Sequence, residues 1–183
     1  MIEETLLEAE AKMDQAVEHL QAQFATVRTG RANPALLHRV NVDYYGSPTP
    51  LQQLASFSVP EARLLLVHPY DRSSMHAIER AILASELGLN PSNDGTVIRL
   101  AFPPLTEERR RELIRLVRHM AEEARVAVRN VRRHAKSDLE GLEGDVSDDD
   151  IRRSEGELQE ITDHHVSRVD ELLEHKEAEL LEV

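Results

Sequence analysis

Residues 125–136 read RVAVRNVRRHAK, four arginines and a lysine in a chain whose formal net charge is −12. The spacing extends beyond this stretch. Arg111, Arg115, Arg118, Arg125, Arg129, Arg132 and Lys136 recur by threes and fours, interrupted only by Glu122. On a helix such spacing gathers all seven on one face, and 100° per residue points that face away from the apolar seam. Guanidinium groups make forked bonds to phosphate oxygens and stack on bases, so the chemistry this ridge could do is to hold RNA. A charged ridge is also the ordinary solvated side of an amphipathic helix, laced by Glu/Arg pairs one turn apart. The imbalance favours the first reading: with Ala127, Val128, Asn130 and Val131 between them, the arginines from 125 to 133 have no acidic neighbour along their own helix.

Other chemistries find no support. The phosphate-binding pattern GxxxxGK is absent, so the chain is not expected to hydrolyse GTP. Cysteine is absent, which removes disulfides, thiolate zinc sites and cysteine nucleophiles and fits a reducing compartment. Nine histidines form no convincing ligand set: His119 with Glu123, and His175 with Glu171 and Glu179, have helical spacing but stand singly, and His164 and His165 diverge by about 100° on a helix. The acids Asp148, Asp149 and Asp150 fit the positive end of a helix better than a cation site. No catalytic residue, metal or cofactor is expected, so the chain is not read as an enzyme. An acidic chain repels nucleic acid at long range, and any RNA contact must come from clustered arginine.

The elements that would carry the ridge are legible from periodicity. Leu6, Ala9, Met13, Val17, Leu20, Phe24 and Val27 alternate in steps of three and four, predicting a helix over 5–28 that stops at Thr29, Gly30 and Asn33-Pro34. All eight prolines lie between Arg31 and Pro104. Short apolar stretches there (Val40 to Tyr44, 64–67, Ile98 to Phe102) predict strands, YYGSPTP and NPSNDG predict turns, and Ser74 is placed to cap a helix carrying Met75, Ile78 and Ile82 and ending at Gly88. Helical texture returns after Thr106, with a seam of Leu113, Val117, Met120, Ala124, Val128, Val131, Ala135 and Leu142. Gly141 and Gly144 then allow a turn, and Ser147 opens a third helix with Ile151, Leu158, Ile161, Val169, Leu172 and Leu180 inward. None of the three can hide its stripe alone. The expected fold is therefore α+β: an elongated antiparallel three-helix bundle (1–30 with 105–183), its helices roughly 40 to 55 Å long, with a small α+β domain inserted at 31–104. No apolar run is long enough to span a membrane, and the start MIEETLLEAEAKMDQ lacks a signal-peptide pattern, so a soluble cytoplasmic protein without membrane contact is expected.

Six motifs are specific together: RTGRANP at 28–34, YYGSPTPLQQLAS at 44–56, ASELGLNP at 84–91, PPLTEERR at 103–110, ARVAVRNVRRHAK at 124–136 and HKEAELLE at 175–182. In these the chain resembles, over essentially its whole length, the bacterial ribosome recycling factor family. The resemblance implies an L-shaped molecule, a three-helix bundle joined at a flexible elbow to a β/α/β sandwich. It also implies a monomer in solution that binds the ribosome after termination, with the bundle on large-subunit rRNA. With elongation factor G, whose GTP hydrolysis supplies the work, such a factor splits the ribosome into subunits. Carried over by position, Arg28, Arg31, Arg129 and Arg132 would contact rRNA, Arg109 and Arg110 are further phosphate contacts, and Gly30, Pro103 and Pro104 mark the elbow. Four or five phosphate contacts would give a salt slope of about three to four. His134, after two arginines, and His68-Pro69, at the end of a strand, depart from the family pattern. Two rival readings, a coiled-coil partner-binding protein and a tRNA-binding helical arm, predict self-association without RNA preference and affinity for free tRNA, respectively.

Overall fold

The computed structural model describes residues 1–182. In chain order its elements are α1 (Ile2–Thr26), β1 (Asn41–Tyr44), β2 (Ser47–Pro50), α2 (Leu51–Leu54), β3 (Ala55–Glu61), β4 (Leu64–Pro69), α3 (Met75–Ala84), β5 (Pro91–Asn93), β6 (Ile98–Ala101), α4 (Glu107–Glu140) and α5 (Asp148–Leu181). They form two compact units, Met1–Arg28 with Glu107–Glu182, and Thr29–Thr106.

The first unit is a bundle in which α1, α4 and α5 each pack on the other two. All seven seam residues of α1 named above are buried. On α4 the buried set is Leu113, Val117, Ala121, Ala124, Val128, Ala135 and Leu139, while Met120 and Val131 are only half-buried. The seam is displaced by one residue there, with small Ala121 buried where the larger Met120 was expected. On α5 three polar residues are buried with the apolar ones: Ser154, Thr162 and His165. Two of them satisfy themselves locally, since Ser154 Oγ donates to the Ile151 carbonyl (2.8 Å) and Thr162 Oγ1 to that of Leu158 (2.7 Å). The start of α5 follows the expected design: Ser147 Oγ accepts from the Asp150 N–H (3.2 Å), and Asp148, Asp149 and Asp150 occupy the first turn.

The second unit holds a four-stranded antiparallel sheet in the order β3-β4-β6-β5 and a separate β1-β2 hairpin. One apolar core, including Val42, Leu65, Val67, Ile78, Ile82, Ile98 and Leu100, joins hairpin, helix and sheet. The hairpin turn is Tyr45-Gly46, with φ of 50° and 80°, the doubly left-handed geometry that matches strand twist in a two-residue loop. Three strands go beyond the expectation. Ser47–Pro50, Ala55–Glu61 and Pro91–Asn93 are strands despite their prolines, because each runs along the edge of its sheet and Pro60 falls at a register shift, where a missing N–H costs no ladder bond. The strand with His68 and Pro69 continues through both, pairing with Ser56 and Ala55. Helix α3 does not start from a Ser74 cap or run to Gly88. Asp71 caps a short 3-10 turn by accepting from the Ser73 N–H (2.9 Å), the Ser74 hydroxyl donates back to the Asp71 carbonyl (2.6 Å), and the helix ends at Ala84.

Candidate nucleic-acid interface

The α4 ridge is not the outward, unpaired array that its spacing predicts. It lies along the seam with α5, and acids of α5, met in reverse order, answer much of it. Arg118 Nε donates to Glu177. Arg125 is held hardest: Nε and Nη2 donate to Asp170 Oδ1 (2.8 and 2.6 Å), Nη1 donates to Glu122 (3.0 Å), and its side chain is only 19% exposed. Burial works against its charge, but the bonds to Asp170 and Glu122 more than compensate and leave it more firmly protonated than a free arginine. Lys136 lies 3.4 Å from Glu155 and 3.7 Å from Glu140, and Arg111 reaches Glu107 at 3.2 Å. Counting acids along α4 alone missed the partners on α5, and Glu122, seen as an interruption of the ridge, in fact serves it, bonding Arg125 and approaching Arg129 at 3.5 Å across two turns.

At Arg132 the pairing changes. Its Nη1 donates to an amide oxygen, Gln159 Oε1 (2.9 Å), and the nearby carboxylate of Asp163 is occupied by the other side of that amide, Gln159 Nε2 (2.7 Å). Arg133 is bonded to Asn130, also neutral. Among the described residues, neither Arg132 nor Arg133 has a carboxylate within 4.0 Å. A neutral amide leaves the guanidinium charge uncompensated, so this turn of the bundle remains available to an anion.

Arg109 and Arg110 do not join Arg129 and Arg132 in one cluster. Arg109 and Arg110 lie in the first turn of α4, roughly 30 Å along the helix from Arg129, paired with Glu112 (2.9 Å) and Glu107 (3.4 Å). Arg110 is mostly buried, while Arg109 is exposed. Arg28 is exposed just after α1, and Arg31 is exposed at the start of the second unit. Between them Gly30 has φ 75°, and Pro103 and Pro104 lie exposed in the segment before α4. Exposed pairs such as Arg109–Glu112 contribute about 0–1 kcal/mol, little enough for a phosphate to replace the carboxylate.

One polar centre braces the bundle itself. His165, 1% exposed, bonds through Nδ1 to the Ile161 carbonyl (2.7 Å) and through Nε2 to Asp14 Oδ1 (3.1 Å), and Arg168 Nη1 donates to the same oxygen (2.6 Å). The bonds from Arg168, then His165, hold the Asp14 carboxyl below the usual carboxylate range. Among the described residues, no group of three or more His, Cys, Asp or Glu is arranged to hold a metal ion, and no helix is long and apolar enough to cross a membrane.

A paired arginine ladder that opens at Arg132 on a three-helix bundle can be set beside known proteins. The family model for ribosome recycling factor matches residues 20–181. The chain belongs to the ribosome recycling factor family. Ribosome-recycling factors of Acidothermus cellulolyticus and Renibacterium salmoninarum are 60% and 58% identical to it over 185 residues, covering all of both chains in each case. A solution structure of a ribosome recycling factor superposes with a TM-score of 0.75 at 47% identity, covering 100% of this chain and 98% of that one. A second structure, of the T. thermophilus ribosome recycling factor and E. coli elongation factor G bound to the E. coli post-termination complex, superposes with a TM-score of 0.65 at 46% identity over 99% of both chains.

Proposed function

We propose that this ribosome recycling factor docks its helical bundle on large-subunit rRNA of the post-termination ribosome, with Arg132 as the leading contact. Arg129, Arg28, Arg31, Arg109 and Arg110 are the supporting phosphate contacts. It is a translation factor and not an enzyme: with elongation factor G, whose GTP hydrolysis drives the step, it promotes splitting of the ribosome into subunits. The carrying observation is that Arg132 meets the neutral amide of Gln159 across the α4–α5 seam, where Arg118 and Arg125 meet carboxylates. The factor acts as a monomer in the cytoplasm. The bundle is the docking wedge, and the second unit turns about Gly30 and Pro103-Pro104 when elongation factor G pushes it.

The test is subunit splitting of post-termination ribosomes with elongation factor G and GTP. Arg132→Ala is expected to lose most activity, with binding to vacant ribosomes weakened and less salt-dependent. Full splitting by the variant would remove Arg132 from the interface. Preference for free tRNA, or self-association without ribosome binding, would overturn the reading as a whole.

A further inference from the structure

An open groove of about 510 Å³ runs between α4 and α5, flanked by Arg132, Lys136 and Arg152, with Gly156 and Leu158 between them and Glu155 as its one acid. Three features make it more than a gap. First, its cations outnumber its carboxylates three to one in a chain of net charge −12, and among the described residues Arg152, like Arg132, has no carboxylate within 4.0 Å. Second, of the α5 acids spaced by sevens, Glu177 and Asp170 pair with α4 arginines, Asp163 accepts from Gln159 instead, and the next position of the series, beside the groove, is Gly156, so this spacing brings no acid to it. Third, no local geometry explains this glycine. It lies inside a helix, and a Cβ added to it would meet nothing within 4 Å. Glycine is the least favourable residue there after proline, so packing alone would favour alanine. What glycine provides is bare backbone between the cations. Arg152 lies one turn before it on the same face of α5, opposite Arg132 and Lys136 across the groove.

We propose that this groove takes a phosphodiester segment of single-stranded or bulged ribosomal RNA, gripped by Arg132 and Lys136 from α4 and by Arg152 from α5, with Gly156 leaving room for the chain to approach the helix. The proposal rests on the RNA-docking reading above and adds α5 to a surface otherwise assigned to α4. The volume fits a nucleotide unit and not merely an ion. The two guanidinium groups, facing from separate helices, would hold the phosphate from both sides.

The experiment measures binding of the full chain to purified large ribosomal subunits across a series of KCl concentrations, with polyuridylate as competitor, for Arg132→Ala, Arg152→Ala, Gly156→Ala and Gly156→Glu. Circular dichroism and melting confirm that each variant folds. Arg152→Ala should weaken binding about three- to tenfold and lower the salt slope by about 0.7 to 0.9, the release from one phosphate. Gly156→Glu should weaken it more than tenfold. Gly156→Ala should melt higher than the natural protein yet bind less well, a split that a purely structural glycine would not give. If Arg152→Ala and both Gly156 variants bind normally while Arg132→Ala is weakened, the groove is overturned and the α4 docking surface stands. If all four bind normally, both fall. If Arg152→Ala weakens binding but polyuridylate does not compete, the occupant is not a phosphodiester chain and the proposal is wrong.

Discussion

Arg125 and Arg132 sit seven residues apart on one face of α4, and their contacts differ in a way that supports opposite tasks. Arg125 is a fastener. Its truncation removes three charge-assisted bonds that tie α4 to α5 and to Glu122, and uncovers the apolar stem beneath the guanidinium. Bonds to charged groups contribute about 1.5–3 kcal/mol when well shielded. Asp170 and Glu122 are each 54% exposed and regain hydration when released, which reduces the expected loss to about 1–2 kcal/mol. At about 2–4 °C per kcal/mol for a chain of this size, Arg125→Ala should melt roughly 2–8 °C lower. Arg132 gives up one bond to a neutral amide on an accessible surface, and Arg132→Ala should stay within about 0.5 kcal/mol of the natural protein. On vacant ribosomes the order reverses: Arg125→Ala, once folded, should keep the natural salt slope, and Arg132→Ala should lower it by nearly one. Thermal melts and a ribosome-pelleting titration at four KCl concentrations give both numbers for both variants. A melting temperature unchanged in Arg125→Ala together with a reduced salt slope would show that its carboxylate partners are exchanged for phosphate, and the division of labour drawn here would be wrong.

Two further perturbations probe other parts of the mechanism. Asp14→Asn removes a carboxylate whose lowered pKa means that its stabilisation is complete above the unfolded value of about 4 and fades as pH falls through the folded value. The variant should be about 1 kcal/mol less stable at pH 7, with a flatter fall in stability below pH 4, measured by urea midpoints from pH 3 to 7; parallel curves would remove the ion-pair account. Gly30→Ala places a β-carbon on a residue at φ 75°, a strain of about 1–2 kcal/mol that biases the connection away from this geometry. Ribosome binding should change by less than about twofold while elongation-factor-G-dependent splitting slows, and equal loss of both would argue against a hinge.

How far the sequence could be read depended on whether the deciding contact was local. The seam of α1 was fully legible from its apolar steps of three and four, and all seven of its members are buried. Along α5 hydropathy failed at Ser154, Thr162 and His165, which are buried because their own backbone and Asp14 satisfy them, a solution that polarity scales do not register. Two of the proline-bearing strands, 47–50 and 91–93, fell in stretches read as turns and 55–61 was not read as a strand, because proline is excluded from sheet interiors and nothing in the local sequence marked those stretches as edges. The ridge shows the same limit in reverse. Its spacing was correct, but Arg118 and Arg125 find their acids 59 and 45 residues away, contacts that appear only when α5 folds back along α4. The sequence carried a partial signal: Asp170 and Glu177 on α5 stand seven apart, as do Arg118 and Arg125 on α4, but the same spacing would also pair Asp163 with Arg132, which bonds Gln159 instead.

That pairing bears on how so acidic a protein would bind RNA in the proposed docking. At physiological ionic strength a charge is felt over about 8 Å, much less than the roughly 50 Å of α4, so the total of −12 is not what a phosphate meets at any one place. What it meets is the local balance. Where Asp170 and Glu177 answer Arg125 and Arg118, the surface is close to neutral and offers nothing for an anion to gain. Around Arg132, with Gln159 in place of an acid and Arg133, Lys136 and Arg152 nearby, the balance is positive despite Glu155. The excess acid elsewhere then has a use of its own, because it disfavours docking in any other orientation. On the docking proposed above, the non-specific attraction to RNA that a uniformly basic helix would have is exchanged for attachment led by the turn around Arg132. Restoring the missing rung with Gln159→Glu should therefore weaken ribosome binding as much as Arg132→Ala does while leaving the arginine in place, and a variant that binds normally would show that local charge balance does not choose the site.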